Sequence, residues 1–284
     1  MALLARRRRP ATLHVPGASG SPGVQGREAQ TGLARLSREA QARKGAQPGW
    51  PDGVRNAEPG PVGAGPACGY PADVVAELFL ATAEALAPLL RAPELAAQWN
   101  QPSALAEFRT SGLAGHTARA VLNVERYLDA EVPAGAARLD AVEYFLTANA
   151  PDVADPAAAM NQSIRERGEQ EAASGPQALA DAYDAARARL AAQLPGLPGD
   201  QPVLMFGRYV LPLNECLLTR LVELVVHADD LAVTLRLPTP DFGDEVADLV
   251  IATLARIARR RHGTVPVVRA LARRERAPST IAAF

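Results

Sequence analysis

The chain has 284 residues and a formal net charge of −1, so it has no general electrostatic attraction to nucleic acid or to an anionic membrane. Hydrophobic residues make up 48% of the sequence, enough for a sizeable core, but no stretch is long and apolar enough to span a bilayer. Alanine and leucine dominate while aromatic residues reach only 5%, a composition that favours closely packed helices. The two cysteines, Cys68 and Cys216, cannot form a disulfide framework, which fits a reducing compartment. We therefore expect an all-α, cytoplasmic protein that binds neither nucleic acid nor membrane.

The first quarter of the chain lacks the pattern of a folded domain. Residues 1–69 are rich in Gly, Pro, Ala, Arg and Gln and show no sustained hydrophobic period. Such a segment cannot bury enough apolar surface to offset the entropy lost on ordering, and we expect it to be disordered. The folded domain should span residues 70–284.

Helical periodicity recurs through that domain. The pattern predicts helices over residues 73–90, 110–130, 140–148, 156–169, 176–194, 216–235 and 244–261, and an extended stretch over 203–211. Pro88 should kink or end the first helix, and Thr110 or Ser111 should cap the second. The proline-interrupted pieces at 140–148 and 156–169 should be peripheral, and whatever follows Asp241 should pack outside the core. The four longer helices that remain indicate a four-helix bundle, in which facing side chains can converge on a site.

The helix predicted over residues 216–235 carries a narrow polar strip on an otherwise apolar circumference. Glu223 and His227 lie one turn apart on this strip, about 6 Å along the axis, so their side chains can share an ion. A helix that is apolar over so wide an arc packs against several neighbours, and its strip should face a cavity or another helix. A surface helix with a thin wet face is the alternative.

A third candidate ligand, His116, shares a helix face with Leu113, Ala120 and Tyr127 and therefore points inward. Two imidazoles and one carboxylate form a three-ligand set that leaves coordination positions open, as catalytic zinc sites do. The same donors suit iron, nickel or cobalt, so the ligand types do not identify the metal. A hydrogen-bonded core histidine is the alternative for His116.

Three further residues lie on the same polar strip. Asp230 could orient His227 by accepting a hydrogen bond, and Arg220 could hold the Glu223 carboxylate or a substrate anion. An ordinary ion pair between Arg220 and Glu223 would explain that pair equally well. Cys216 could be a soft ligand, but a small core residue is the better interpretation. No residue is assigned a catalytic role.

At these residues the chain resembles the metal-binding domain of mycothiol-dependent maleylpyruvate isomerases, within the DinB-like four-helix superfamily. The resemblance spans residue 70 to the C-terminus and is carried by three motifs: Trp99-x-x-Pro102-Ser103-x-Leu105, Leu113-Ala114-Gly115-His116, and Arg220-x-x-Glu223-x-x-x-His227-x-x-Asp230-Leu231. It implies that His116, Glu223 and His227 are ligands of a divalent metal, commonly zinc, and that a low-molecular-weight thiol is the cosubstrate. A cation stabilises thiolate, and the thiolate can add to an activated alkene and leave again, or stay attached.

The resemblance is incomplete at the C-terminus. The resemblance implies that full isomerases of this type have a separate C-terminal domain that helps to form the substrate pocket. Here a short stretch follows the helix that carries Glu223 and His227. No arginine of this sequence can be matched to a substrate-binding arginine of that domain. We therefore expect a thiol-dependent isomerase or S-transferase acting on a small electrophile such as maleylpyruvate. A non-enzymatic metal-binding module with a structural or stress-related role is the alternative. A two-histidine, one-carboxylate iron oxygenase is disfavoured because such sites usually lie on β-barrels.

Overall fold

The computed structural model describes residues 72–148 and 158–283. Helices dominate this part of the chain, with one short hairpin: α1 Ala72–Arg91, α2 Pro93–Ala97, α3 Thr110–Leu128, α4 Ala141–Ala148, α5 Ala159–Glu171, α6 Pro176–Gln193, β1 Pro202–Met205, β2 Tyr209–Pro212, α7 Leu213–Leu235, α8 Asp244–His262 and α9 Thr264–Ala272. No helix of this part is long and apolar enough to cross a membrane. The prediction of disorder for residues 1–69 lies outside the described residues.

The four long helices form the predicted bundle. Helix α1 packs against α6 and α7, and α3 packs against the same two helices, so the four close into a ring around a common core. Each contributes large side chains that are fully buried there, among them Phe79, Val121, Tyr183 and Leu221. Burying one such side chain contributes about 1.5–3 kcal/mol, which makes this core the main source of stability.

Helix α7 lies at the centre of these contacts because it is apolar over most of its circumference. It packs against both α1 and α3, and this turns its narrow polar strip toward α3. The helix begins three residues earlier than predicted, directly after strand β2. It ends where Arg236 adopts a left-handed conformation with φ of 60°, and the Leu237 N–H donates to the Ala232 carbonyl.

The extended stretch predicted over residues 203–211 is an antiparallel hairpin. Val203 pairs with Leu211 and Met205 with Tyr209. At its tip, Phe206 and Gly207 both have positive φ, 54° and 67°. The hairpin packs beside α3 and the start of α7, which brings its tip close to the polar strip.

Helix α5, predicted to be peripheral, instead packs closely along α3. A Cβ placed on Gly115 would meet the backbone carbonyl of Gly168, and a Cβ on Gly168 would meet the carbonyl of Gly112. The two backbones are therefore in direct contact, and this is possible only because glycine stands at these positions. The other predicted peripheral elements, α4 and the helices after Asp241, do lie outside the ring.

The predicted cap of α3 is wrong. Neither Thr110 nor Ser111 caps this helix, because the Thr110 hydroxyl donates to the Gln101 carbonyl and the Ser111 hydroxyl donates to the Glu169 carboxylate. Pro88 lies inside α1, which continues to Arg91, so of the two alternatives for Pro88 the one in which it ends the helix is wrong.

Candidate metal centre

Three side chains that are far apart in the sequence converge between α3 and α7. The Nε2 atom of His227 lies 3.1 Å from Nε2 of His116 and 3.2 Å from Oε2 of Glu223. His116 Nε2 is 3.7 Å from the same carboxylate oxygen. One donor atom from each residue thus lies within 4.8 Å of the other two, and no second group of three such residues occurs in the part of the chain described.

The local sequence explains this convergence. Glu223 and His227 are one turn apart on α7, and His116 projects from the middle of α3, the helix against which the polar strip packs. The three side chains remain 15–20% exposed, so the centre is sheltered but not sealed from solvent. The inward orientation predicted for His116 is confirmed.

Asp230 fixes the orientation of one imidazole. His227 Nδ1 donates to Asp230 Oδ2 at 2.9 Å, which leaves Nε2 facing Glu223 and His116. This is the orientation that a histidine needs when Nε2 is to bind a cation, since the partner of the other nitrogen sets which one is available.

The charges of the three residues complement one another. Burial alone would raise the pKa of Glu223, but its hydrogen bonds with both histidines and the charge of Arg220 hold that pKa well below the usual value, so the carboxylate is ionised. Burial likewise opposes charge on His227, yet the bonds to Asp230 and Glu223 raise its pKa to about 9. Burial is the main reason that the pKa of His116 is lowered, and this imidazole is neutral.

In this protonation state the His227 imidazolium donates from both nitrogens, and its Nε2 proton lies toward two acceptors, His116 and Glu223. A cation would take the place of that proton. Two neutral imidazoles and a carboxylate whose donor atoms already point at a common centre fit a divalent transition metal without rearrangement of the helices.

Arg220 forms no direct ion pair with a carboxylate among residues 72–148 and 158–283. Its guanidinium is buried and interacts with Glu223 electrostatically, one turn along the helix, so its role in holding Glu223 or a substrate anion stays a prediction. Instead Nε donates to the Thr219 hydroxyl at 3.1 Å and one terminal nitrogen lies 3.5 Å from the Tyr144 hydroxyl. The carbon of the guanidinium lies 5.8 Å from the centre of the Tyr144 ring and 5.7 Å from that of Phe206.

Cys216 is a core residue, as the sequence favoured, and the soft-ligand alternative is wrong. The side chain is fully buried and lies outside the His116/Glu223/His227 cluster. Burial raises the pKa of the thiol to about 12, which makes it unreactive at neutral pH.

Sequence reasoning missed the aromatic residues around the centre. The Phe108 ring lies 5.8 Å from that of His116, and Tyr144 and Phe206 flank Arg220. Aromatic residues are scarce in this chain, so the few that lie in loops and a short helix could have been noticed as candidates. No sequence motif, however, indicates that they pack near α7.

Comparisons with known proteins give a family match and a similar solved structure. A family model described as "Mycothiol maleylpyruvate isomerase N-terminal domain" matches residues 79–232, more than half of the chain and a span that includes the whole cluster. A solved structure described as "Crystal structure of the mycothiol-dependent maleylpyruvate isomerase" is similar at 20% identity, with a TM-score of 0.44 over 67% of this chain and 71% of that one. A search of curated proteins gave no match.

Proposed function

Because the chain belongs to the family of mycothiol maleylpyruvate isomerase N-terminal domains, we propose that it is a cytoplasmic metalloenzyme that uses a low-molecular-weight thiol, mycothiol, to isomerise or S-conjugate a small electrophile. We assign the catalytic domain to residues 70–284. The observation that carries the proposal is the convergence of His116, Glu223 and His227 at a centre that stays partly open to solvent.

The protein's own residues hold and tune this centre. His116, Glu223 and His227 are the ligands, zinc is the first candidate, and nickel or iron would suit the same donors. When bound, the cation favours the thiolate form of a thiol, which is the nucleophile for an electron-poor double bond. Asp230 holds His227 in the ligating orientation. The ionised Glu223 contributes negative charge that keeps a divalent ion bound in a sheltered site.

Isomerisation and S-transfer share their first step on this account. The thiolate sulfur forms a bond to one alkene carbon, and the carbon–carbon bond becomes single and can rotate. Expulsion of the thiolate restores the double bond in the other geometry, whereas uptake of a proton on the neighbouring carbon gives the S-conjugate.

The partial exposure of the ligands favours an enzyme over a module that keeps an ion only for structure. Structural zinc sites are closed by four protein ligands, whereas the cluster here supplies three. A structural site would have no affinity for a thiol, and the two cases can therefore be separated by titration.

The test compares the ligand variants His116→Ala, Glu223→Gln and His227→Ala with His262→Ala. His262 is a matched control because its ring contacts the Ala282 carbonyl near the C-terminus rather than the cluster. After treatment with a chelator and reloading with zinc, the wild type and control should bind zinc and the thiol N-acetylcysteine and support thiol-dependent isomerisation of maleylpyruvate. Each ligand variant should lose all three properties. Full thiol-dependent turnover by metal-free protein would contradict the proposal, and zinc binding without thiol binding would identify a structural module.

A further inference from the structure

Arg220 presents a buried positive charge that forms no ion pair with a carboxylate among residues 72–148 and 158–283. The residue is 5% exposed, and its side chain donates hydrogen bonds to two hydroxyl groups, those of Thr219 and Tyr144. Desolvating a guanidinium costs free energy that neutral hydroxyls recover only in part. Glu223, one turn along α7, attracts this charge from a distance. A small anion seated against Arg220 would supply the missing partner.

A second buried polar group lies next to this charge. The Tyr127 side chain is 5% exposed, and its hydroxyl has no hydrogen-bond partner within the described part of the protein. Tyr127 lies close enough to Arg220 for the two to interact electrostatically. Buried hydroxyls are nearly always paired, so an unpaired one beside a guanidinium that is bonded only to neutral hydroxyls indicates a place prepared for an acceptor.

Both neighbouring tyrosines are hydrogen-bond donors rather than anions. Burial raises the pKa of Tyr144 to about 12 and raises that of Tyr127 further. At neutral pH the group around Arg220 therefore offers one guanidinium and two neutral hydroxyls. This set of donors matches the oxygens of a carboxylate, which accepts strong hydrogen bonds from guanidinium and hydroxyl groups.

Phe206 packs against Tyr127 and Arg220 from the hairpin tip. Its ring lies 5.2 Å from that of Tyr127 and 5.7 Å from the Arg220 guanidinium carbon, yet the side chain is 45% exposed. Its φ of 54° is unusual for a bulky residue, and Gly207 beside it also has positive φ. A half-exposed ring at the tip of a two-stranded hairpin can turn outward without disturbing the core, which gives a ligand a way in.

We propose that Arg220, Tyr127 and Tyr144 form a carboxylate-binding subsite under Phe206, one helical turn from the metal centre. The inference rests on the proposed function and deepens it, because it assigns Arg220 the positioning of a carboxylate group of the electrophile. Since Arg220 and Glu223 lie on one strip of α7, a carboxylate held at Arg220 places the rest of a small molecule beside the three ligands.

The test uses the zinc-loaded full-length protein and titration calorimetry with succinate, a small dicarboxylate that cannot undergo the reaction. Its neutral diamide, succinamide, reports on binding that does not need a carboxylate. The variants are Arg220→Gln and Tyr127→Phe, the second being a nearly isosteric change that should fold even if the first does not. Arg189→Gln is the matched control, since Arg189 is an exposed arginine that pairs with Glu125 on the protein surface.

Wild type and Arg189→Gln should bind succinate saturably and in preference to succinamide. Arg220→Gln should weaken succinate binding at least tenfold and Tyr127→Phe severalfold, while both variants keep the zinc content and the N-acetylcysteine affinity of the wild type. The subsite is overturned if succinate binds both variants as tightly as the wild type, or binds no better than succinamide. It is also overturned if His227→Ala abolishes succinate binding while Arg220→Gln leaves it unchanged.

The same titrations separate the two proposals. If Arg220-dependent succinate binding persists in a protein that takes up neither zinc nor thiol, the proposed function fails and the subsite stands. If zinc and thiol bind normally but succinate does not depend on Arg220, the subsite fails and the proposed function stands.

Discussion

Replacing Asp230 by Ala should weaken metal binding although Asp230 is not itself a ligand. Its carboxylate accepts a hydrogen bond from His227 Nδ1 at 2.9 Å, and the two side chains are only 28% and 15% exposed. Loss of such a partner typically lowers metal affinity about 10–100-fold, which corresponds to about 1.4–2.8 kcal/mol. Removing Asp230 also lowers the pKa of His227, so that a proton competes less strongly with the metal for this imidazole. The two effects oppose each other, and we expect a loss of about tenfold at pH 7.

The adjacent residue provides the control for this prediction. Asp229 accepts a hydrogen bond from the Thr239 hydroxyl at 2.6 Å and faces away from the cluster, so Asp229→Ala removes the same charge one residue away. Asp230→Asn keeps an oxygen acceptor and should recover part of the affinity. The measurement is competition for zinc against a chromophoric chelator at fixed pH and ionic strength.

Two results would refute the reasoning about Asp230. One is equal zinc affinity for Asp230→Ala and the wild type, which would mean that the ring of His227 is held by packing alone. The other is an equal loss for Asp229→Ala and Asp230→Ala, which would reduce the effect to net charge.

Three more predictions concern packing, protonation and reactivity. Gly115→Ala should lower the free energy of unfolding by about 1–3 kcal/mol in chemical denaturation, because the added Cβ would collide with the Gly168 carbonyl. Gly196→Ala, which has open space around it, should change the free energy of unfolding little. Equal stability of the two variants would contradict the close contact of α3 and α5. Since the pKa of His227 is about 9 without metal, this imidazole carries a proton at pH 7, so zinc binding should release that proton and strengthen as pH rises toward 9. Calorimetry in buffers of different ionisation enthalpy measures the release, and its absence would argue against His227 as a ligand. In a Cys68→Ser background, native protein should resist alkylation by iodoacetamide because Cys216 is buried with a raised pKa, and rapid alkylation would show that the core opens readily.

The bundle was predictable because amphipathic periodicity determines both helix identity and the buried face. Helices α1, α3, α6 and α7 begin and end within a few residues of the predicted bounds. The same signal placed His116 on the inward face of one helix and Glu223 and His227 on the inward strip of another. That the three side chains meet was implied by the family resemblance, because periodicity does not show how two helices face each other.

What the sequence could not reveal depends on contacts that leave no periodic trace. The packing of α5 on α3 depends on Gly112, Gly115 and Gly168. Glycine has no side chain, so a search for hydrophobic periodicity gives these positions no weight. The surroundings of Arg220 are supplied by Tyr144 and Phe206, which come from a short helix and a hairpin tip whose positions depend on tertiary structure. Thr110 and Ser111 resembled helix caps, but longer-range acceptors bind their hydroxyls instead.

The most direct test of the central claim is elemental analysis of purified protein after chelation and reloading with zinc, comparing wild type with His116→Ala and His262→Ala. His116 is decisive because it is the ligand that comes from a different helix. We predict one equivalent of zinc per chain in the wild type and in His262→Ala, and its loss from His116→Ala after gel filtration. Retention of a full equivalent by His116→Ala would contradict the account.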